Sequence, residues 1–158
     1  MPKARDQHEQ KALDDVQKYG LHIVNVLEEG ELPGFAYTVG LYRTFQHPEV
    51  LVYGLPRDRA HQILNDLANN LRAGKRYVAG GTFDDLLEGY LCTFRVVPLA
   101  HYREHLGWAS WFNETIDFPA LQLIYPDKEG RWPWQDEVSD GFRRHQLVLA
   151  DAPHFEIQ

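Results

Sequence analysis

The spacing of hydrophobic residues predicts two amphipathic helices in the first half of the chain. Residues 4–19 carry a narrow apolar stripe that ends at Gly20, and glycine is the residue type that most often closes a helix. Residues 56–74 have a stronger pattern, with apolar side chains at helical spacing between Pro56 and Gly74. Each helix therefore has one face that must pack against another element.

Five short segments have the composition of β-strands. The run over 35–41 alternates large apolar residues on one side with small residues on the other. A β-branched run and a turn that contains glycine and proline precede it, so the two runs predict an antiparallel hairpin. The predicted strands are 21–27, 35–41, 50–54, 90–97 and 120–125.

Weaker patterns account for most of the remaining residues. They predict a loop at 42–48, one helical turn at 84–87, a short helix within 99–113 that is interrupted at Gly107, a helix near 136–144, a short apolar piece at 147–150 and an extended end at 155–157. None of these segments carries a pattern as regular as that of residues 56–74.

The order of these elements predicts the fold class. Helices and strands do not alternate as a doubly wound parallel sheet requires, and no linker or repeat divides the chain. We predict a single α+β domain over residues 1–158, with a mainly antiparallel sheet of about five strands and helices packed on it. Its parts are an N-terminal helix (1–20), a three-strand unit (21–54), a helix (56–74), a strand–helix–strand unit with a tryptophan loop (90–134) and a C-terminal tail (135–158).

Composition limits the class of protein. The 158 residues are 44% hydrophobic and 25% charged, which is ordinary for one folded domain. A single cysteine, Cys92, excludes an internal disulfide framework. The chain opens on polar residues, and no apolar run approaches the roughly 18 residues of a membrane span. We therefore predict a cytoplasmic protein without a membrane partner.

The distribution of charge favours some partners over others. The net charge is −7, and residues 81–158 supply all of it with thirteen acidic and six basic side chains. Nucleic-acid binding depends on Lys and Arg, so this balance predicts no nucleic-acid partner. It suits a basic protein, which the acidic half would attract over long range. The alternative interpretation is that these carboxylates only keep the protein in solution. The sequence does not predict the oligomeric state.

One short motif resembles a metal site. His101 and His105 would share a helix face and could hold zinc, with Glu104 as the base, in an H-x-x-E-H arrangement. The helix that carries them is confined between Pro98 and Gly107, and no long helix follows that could supply a third ligand. The context therefore does not support the motif, and we predict neither a metal nor another cofactor.

A histidine and a glutamate flank Pro48 in the loop before the third predicted strand. His47 titrates near neutral pH, and Glu49 could orient it for acid–base catalysis. Tyr37 and Thr38, on the preceding strand, could approach this loop. The alternative interpretation is that His47 and Glu49 satisfy backbone groups where the chain enters a strand.

Large rings are concentrated between residues 108 and 134. Trp132 and Trp134 flank Pro133 just after a turn that contains Asp127 and Arg131. Further candidates for binding a partner or ligand are Trp108, Trp111 and Gln122. Rings at this density can cover the edge of a small sheet or form a protein-binding patch, since Trp, Tyr and Arg concentrate at interface hot spots.

Seven segments spread over nearly the whole chain form a fairly specific combination: Gly34-Phe35-Ala36-Tyr37-Thr38-Val39-Gly40-Leu41, His47-Pro48-Glu49, Tyr53-Gly54-Leu55-Pro56, Trp108-Ala109-Ser110-Trp111-Phe112, Leu121-Gln122-Leu123-Ile124-Tyr125-Pro126-Asp127, Gly130-Arg131-Trp132-Pro133-Trp134 and Gln146. Together they resemble a bacterial family of unknown function, the domain-of-unknown-function family numbered 4262. The resemblance implies a compact bacterial intracellular protein and brings no established reaction or cofactor.

Two functions fit these observations. The leading hypothesis is a non-catalytic protein-binding domain, immunity-like or accessory, whose site combines the hairpin, the His47 loop and the Trp132–Trp134 loop. The alternative is a small-molecule enzyme in which His47 and Glu49 form an acid–base pair and Tyr37, Thr38, Gln122 and Asp127 bind the substrate. Both hypotheses require residues that are remote in sequence to share one surface.

Overall fold

Six strands form one mixed sheet in the computed structural model, which describes residues 1–151. The strands are β1 (His22–Val26), β2 (Phe35–Val39), β3 (Glu49–Tyr53), β4 (Thr82–Leu87), β5 (Tyr90–Val96) and β6 (Ala120–Ile124), in the spatial order β1-β2-β3-β6-β5-β4. All neighbours are antiparallel except β3 and β6, which run parallel. The predicted α+β class is therefore confirmed.

Helices cover both faces of this sheet. They are α1 (Gln7–Tyr19), α2 (Leu41–Phe45), α3 (Arg57–Arg72), α4 (Tyr102–His105), α5 (Gly107–Asn113) and α6 (Asp140–His145), with a 3-10 turn at Leu99–His101. The apolar stripe of α3 is buried against one face of the sheet, and α1, α4 and α5 contribute to the core on the other face. Successive side chains of β2 point to opposite faces of the sheet, so Ala36 packs in the α3 layer and Tyr37 packs in the second layer.

The sheet is mainly antiparallel, as predicted, but it has six strands instead of about five, and one of its pairings is parallel. Residues 84–87, predicted as a helical turn, belong to β4, which pairs with β5 across an irregularity between Phe83 and Leu87. Hydrogen bonds to a neighbouring strand override a weak local preference. The parallel contact of β3 with β6 was also not predicted, because α3 and the β4–β5 hairpin separate the two strands in sequence.

The second predicted strand ends earlier than the alternation indicates. Gly40 has a φ of 104°, a left-handed conformation that favours glycine, and a Cβ there would lie 2.8 Å from a methyl group of Val16. Leu41 then begins α2 in the segment 41–45, most of which was predicted as loop. The chain therefore turns at Gly40, and this turn brings the beginning of α2 close to Glu49.

The remaining predictions differ at element ends. The first helix begins after Asp6, whose carboxylate accepts from the backbone N–H of Glu9 at 2.8 Å, and ends at Gly20 as predicted. The helix expected near 136–144 spans Asp140–His145, and Gly107 begins α5. The extended segment predicted at 155–157 lies outside the described residues.

Candidate functional site

The Glu49 side chain is buried at the start of β3, where it holds the chain turn after β2. One carboxylate oxygen accepts from Thr38 Oγ1 at 2.8 Å and from Leu41 N at 3.0 Å, and the other accepts from Gly40 N at 3.1 Å and Tyr42 N at 3.3 Å. The side chain is 0% exposed. Burial raises the pKa of the Glu49 carboxyl to about 7, although these hydrogen bonds favour its charged form.

His47 is also buried, and it contacts a different part of the chain. Its Nδ1 lies 2.8 Å from the carbonyl oxygen of Pro48, and its Nε2 lies 3.2 Å from the backbone nitrogen of Tyr77, which donates to it. The ring meets the Tyr77 ring edge-on. Burial lowers the pKa of His47, because it disfavours the imidazolium. His47 therefore fixes residue 77 against the sheet.

These contacts bear on the enzyme hypothesis. A catalytic acid–base pair must reach the substrate, whereas His47 and Glu49 are 1% and 0% exposed and bond to separate backbone segments. Thr38 bridges the corner by donating to Glu49 and accepting from Val50 N at 2.9 Å. We call Thr38, His47 and Glu49 the polar corner. Its buried side chains bond to backbone groups, which is the geometry of residues that stabilise the fold.

The other predicted ligand-binding residues of the enzyme hypothesis are dispersed. Tyr37 is buried in the second core layer, where its hydroxyl accepts from Trp108 N at 3.0 Å. Gln122 is buried in β6, where it donates to Leu147 O and accepts from Leu149 N at 2.9 Å. A surface recess of about 290 Å³ is lined by Asp127 but not by the polar corner.

The two histidines of the H-x-x-E-H motif point inward. His105 Nδ1 lies 3.1 Å from the carbonyl oxygen of His101, and its Nε2 bonds to the hydroxyl of Tyr53. Within residues 1–151, the His, Cys, Asp and Glu side chains form no cluster of three or more that could hold a metal ion. The two histidines are therefore buried, whereas Glu104, the residue that would act as the base, is exposed.

Trp108 and Trp111 lie on α5. Their rings meet edge-on with centroids 5.6 Å apart, and both pack against the second core layer. The Trp108 ring is 6.3 Å from that of His22 in β1. These two residues therefore belong mainly to the packing between α5 and the β1–β2 side of the sheet.

Trp132 and Trp134 form the main exposed aromatic feature among the predicted candidates. Their rings stack with an interplanar angle of 12° and centroids 5.6 Å apart, and Trp134 is 39% exposed. The guanidinium carbon of Arg95, in β5, lies 3.9 Å from the Trp134 ring centroid. Stacking on a guanidinium is favourable because the ring face is electron-rich. We call Arg95, Trp132 and Trp134 the aromatic platform.

The loop that carries the platform is held by hydrogen bonds at both ends. Asp127 Oδ1 accepts from the backbone N–H groups of Glu129 and Arg131, and its other oxygen accepts from Arg131 Nε at 3.0 Å. Burial alone would raise the pKa of the Asp127 carboxyl, but these hydrogen bonds and the Arg131 charge lower it. On the far side, Arg143 donates to Pro133 O at 3.1 Å and to Gln135 O at 2.6 Å.

Carboxylates surround the platform in sequence. Residues 127–140 contain five acidic and two basic side chains. Asp136, Glu137 and Asp140 are exposed, and the Glu129 side chain is 64% exposed. Arg95 is paired with Asp151 at 2.6 Å, so its charge is already balanced within the chain. The platform therefore combines the exposed ring of Trp134 with excess negative charge in the surrounding sequence.

The structure places His47 and the platform on opposite faces of the sheet. His47 contacts Tyr77, which belongs to the α3 layer of the core. Arg95 pairs with Gln122 across β5 and β6, whereas Phe94 and Leu123 face the α3 layer, so Arg95 and Trp134 lie on the opposite face. Glu49 precedes Val50 of the α3 layer and therefore lies on the same face as Arg95, but its side chain is buried, whereas Trp134 is exposed. His47 and the platform therefore do not share one surface.

Sequence reasoning missed Arg95, the residue on which Trp134 stacks. A single arginine inside the apolar run 90–97 was the available signal, because an arginine in a strand must find a partner or reach solvent. It also missed Arg143, since a basic residue in a short helix carries no sign of a contact with a loop ten residues away.

The fold and these two regions define the chain as an α+β protein built on one six-stranded mixed sheet. A family model described as a domain of unknown function (DUF4262) matches residues 15–139, and the chain belongs to that family. No curated protein and no solved structure gives a significant match. In the described part of the chain, no helix has the length and apolar character that would let it cross a membrane.

Proposed function

We propose that this chain is a non-catalytic protein-binding domain and that the aromatic platform is its contact surface. The observation that carries the proposal is the stacked pair of Trp132 and Trp134, in which Trp132 is half-buried and Trp134, stacked on Arg95, is exposed to solvent. Tryptophan and arginine are the residues that most often dominate binding energy at protein interfaces.

The way the loop is held supports the same proposal. The Asp127 turn and the two Arg143 hydrogen bonds fix the backbone on both sides of the rings. A surface that is ordered before binding loses less conformational entropy when a partner arrives. The loop therefore suits recognition better than a flexible tryptophan-containing segment would.

Charge indicates the chemistry of the partner. The excess carboxylates of residues 127–140 attract Lys and Arg side chains, and exposed indole rings can stack on them. We propose a basic protein segment as the partner, in an immunity-like or accessory role. We place the protein in the bacterial cytoplasm, because a lone thiol such as that of Cys92 stays reduced there.

Two synthetic peptides of equal length test the proposal. One alternates Arg and Lys with small residues, and the other carries Glu at every basic position. Calorimetric titration should show that the basic peptide binds and the acidic one does not. The affinity for the basic peptide should fall as salt is added. Trp134→Ala should weaken this binding about tenfold or more, in the range of an interface hot spot.

Tyr42→Ala is the matched control, because Tyr42 is 40% exposed, almost as much as Trp134, and lies on α2 rather than on the platform. It should leave the affinity unchanged. Equal loss in both variants, binding that survives Trp134→Ala, or no preference for the basic peptide would contradict the proposal.

A further inference from the structure

The two edges of the sheet differ in how well they are protected against pairing with another strand. At one edge, β4 is irregular between Phe83 and Leu87 and carries Asp84 and Asp85. Irregularity and charge are common devices that prevent strand addition. At the other edge, all five residues of β1 pair in regular register with β2, and the strand contains no Asp, Glu, Lys, Arg or Pro. β1 is therefore the less protected of the two edges.

Exposed apolar side chains lie at both ends of β1. Tyr19, just before the strand, is 52% exposed. Val26 and Leu27, at its end, are 38% and 83% exposed, and Leu32 in the following turn is 47% exposed. Exposed apolar residues that are neighbours, as Val26 and Leu27 are, are typical of a surface that becomes buried in an assembly.

The charges around β1 are arranged with opposite signs at its two ends. The turn after β1 carries Glu28, Glu29 and Glu31, all exposed. Near its beginning lie Lys18, at the end of α1, and Arg72, whose guanidinium donates to Tyr19 O at 2.7 Å. The carboxylate of Asp15 also lies there, 2.8 Å from His22 Nδ1, and it is paired with Lys11. A second β1 in antiparallel orientation would bring the acidic end of one copy against the basic end of the other, whereas a parallel one would place like charges together.

We propose that two copies of this chain associate through β1, antiparallel and centred on Val24, to form one continuous sheet of twelve strands, six from each copy. In this register His22 faces the partner's Val26, and Ile23 faces the partner's Asn25. The exposed apolar residues at the end of one strand then lie beside Tyr19 of the other copy. The association depends on neither the aromatic platform nor its partner.

The dimer leaves the platform accessible. Arg95 lies in β5, next to β4 at the edge of the sheet away from β1. Each dimer would thus present two platforms, one near each end of the joined sheet. Two sites on one particle raise the avidity for a partner that offers repeated basic segments.

Sedimentation of the purified chain tests the association. The wild type should sediment with twice the monomer mass of 18.4 kDa and dissociate on dilution. Leu27→Lys places a cation beside the basic end of the other copy and should weaken the dimer about tenfold or more. Val78→Lys is the control, because Val78 is 59% exposed but lies away from β1, and it should leave the dimer unchanged. A monomer at every concentration, or a dimer insensitive to Leu27→Lys, would overturn the proposal.

A charge-reversal cycle tests the orientation. Lys18→Glu and Glu29→Lys should each weaken the dimer, because each places like charges together at both symmetric ends. The two changes combined restore opposite charges and should recover most of the wild-type affinity. A double variant weaker than either single variant would overturn the antiparallel arrangement.

Cysteine cross-linking tests the register. The single native thiol, Cys92, is buried, and burial raises its pKa to about 12, so the wild type should not cross-link under mild oxidation. Val24→Cys should give a covalent dimer, because the two copies of residue 24 face each other. Val26→Cys should not, since its two copies would lie too far apart for a disulfide. Cross-linking of both variants alike, or of neither, would contradict the register.

Discussion

The polar corner and the aromatic platform both contain residues that the sequence marked as binding candidates, yet the fold uses them in different ways. His47, Glu49 and Thr38 are buried and bond to the backbone, whereas Trp134 stays exposed above Arg95. A buried polar group is stable only when its hydrogen bonds are satisfied, and satisfying them removes it from contact with a ligand. Polar candidate residues can therefore serve the scaffold, whereas a ring that stays exposed keeps a face that a partner can contact.

The largest expected effect lies in the polar corner. Glu49→Ala removes the acceptor of three backbone N–H groups and of the Thr38 hydroxyl, so we expect a loss of about 4 kcal/mol in the free energy of unfolding. Urea denaturation at one fixed pH measures it. Glu29→Ala, at an exposed turn position, is the control and should change stability by less than about 0.5 kcal/mol. A similar small change for Glu49→Ala would contradict the structural role.

The pH dependence of stability follows from the same carboxyl. Because the folded pKa of Glu49 is about 7, above its ordinary value, protonated Glu49 favours the folded state. Its contribution is complete below pH 4.5 and is lost as the pH rises through 7, which amounts to about 3 kcal/mol. Glu49→Gln cannot ionise, so the stability difference between wild type and variant should shift by that amount across this range.

Denaturation curves of both proteins from acid to mildly alkaline pH provide the measurement. Other titrating groups change wild type and Glu49→Gln equally, so they cancel in the difference. A difference that stays constant with pH would mean that the hydrogen bonds to the Glu49 carboxylate offset the cost of its burial, so that its pKa is not raised in the folded state.

A smaller effect is expected for the histidine of the corner. His47→Ala leaves the backbone N–H of Tyr77 without its acceptor in a buried position, which costs about 2 kcal/mol. His8→Ala, in an exposed position on α1, is the matched control and should be nearly neutral. If His47 instead served only catalysis, its removal would leave the denaturation midpoint unchanged.

Local patterns predicted those elements whose positions depend on local contacts. The stripe of α3 and the alternation of β2 could be read directly, because burial repeats with the period of the element. The parallel pairing of β3 with β6 could not be predicted, since nothing in the sequence of either strand identifies its neighbour in the sheet. The same limit applies to the site, because only the sheet topology shows that His47 and Trp134 lie on opposite faces.

Glu49 also shows which signal was available in the sequence. It directly precedes the apolar run Val50–Tyr53, so its backbone had to belong to a buried strand. A carboxylate at the beginning of such a strand needs donors, and the nearest free ones are the N–H groups at the start of a helix. The helix α2 was predicted as loop, so these donors were not anticipated.

The smallest expected change in stability belongs to the platform. Trp134→Ala removes the stacking on Trp132 and the contact with Arg95, both at a partly exposed position, so it should lower the free energy of unfolding by about 1 kcal/mol or less. Urea denaturation measures it beside Tyr42→Ala. The two variants should therefore differ in what they change most. Glu49→Ala should lower the free energy of unfolding more, and Trp134→Ala should weaken binding of the basic peptide more. A loss above about 2 kcal/mol for Trp134→Ala would show that the rings close the sheet as part of the core, and the platform would then serve the fold, as the polar corner does.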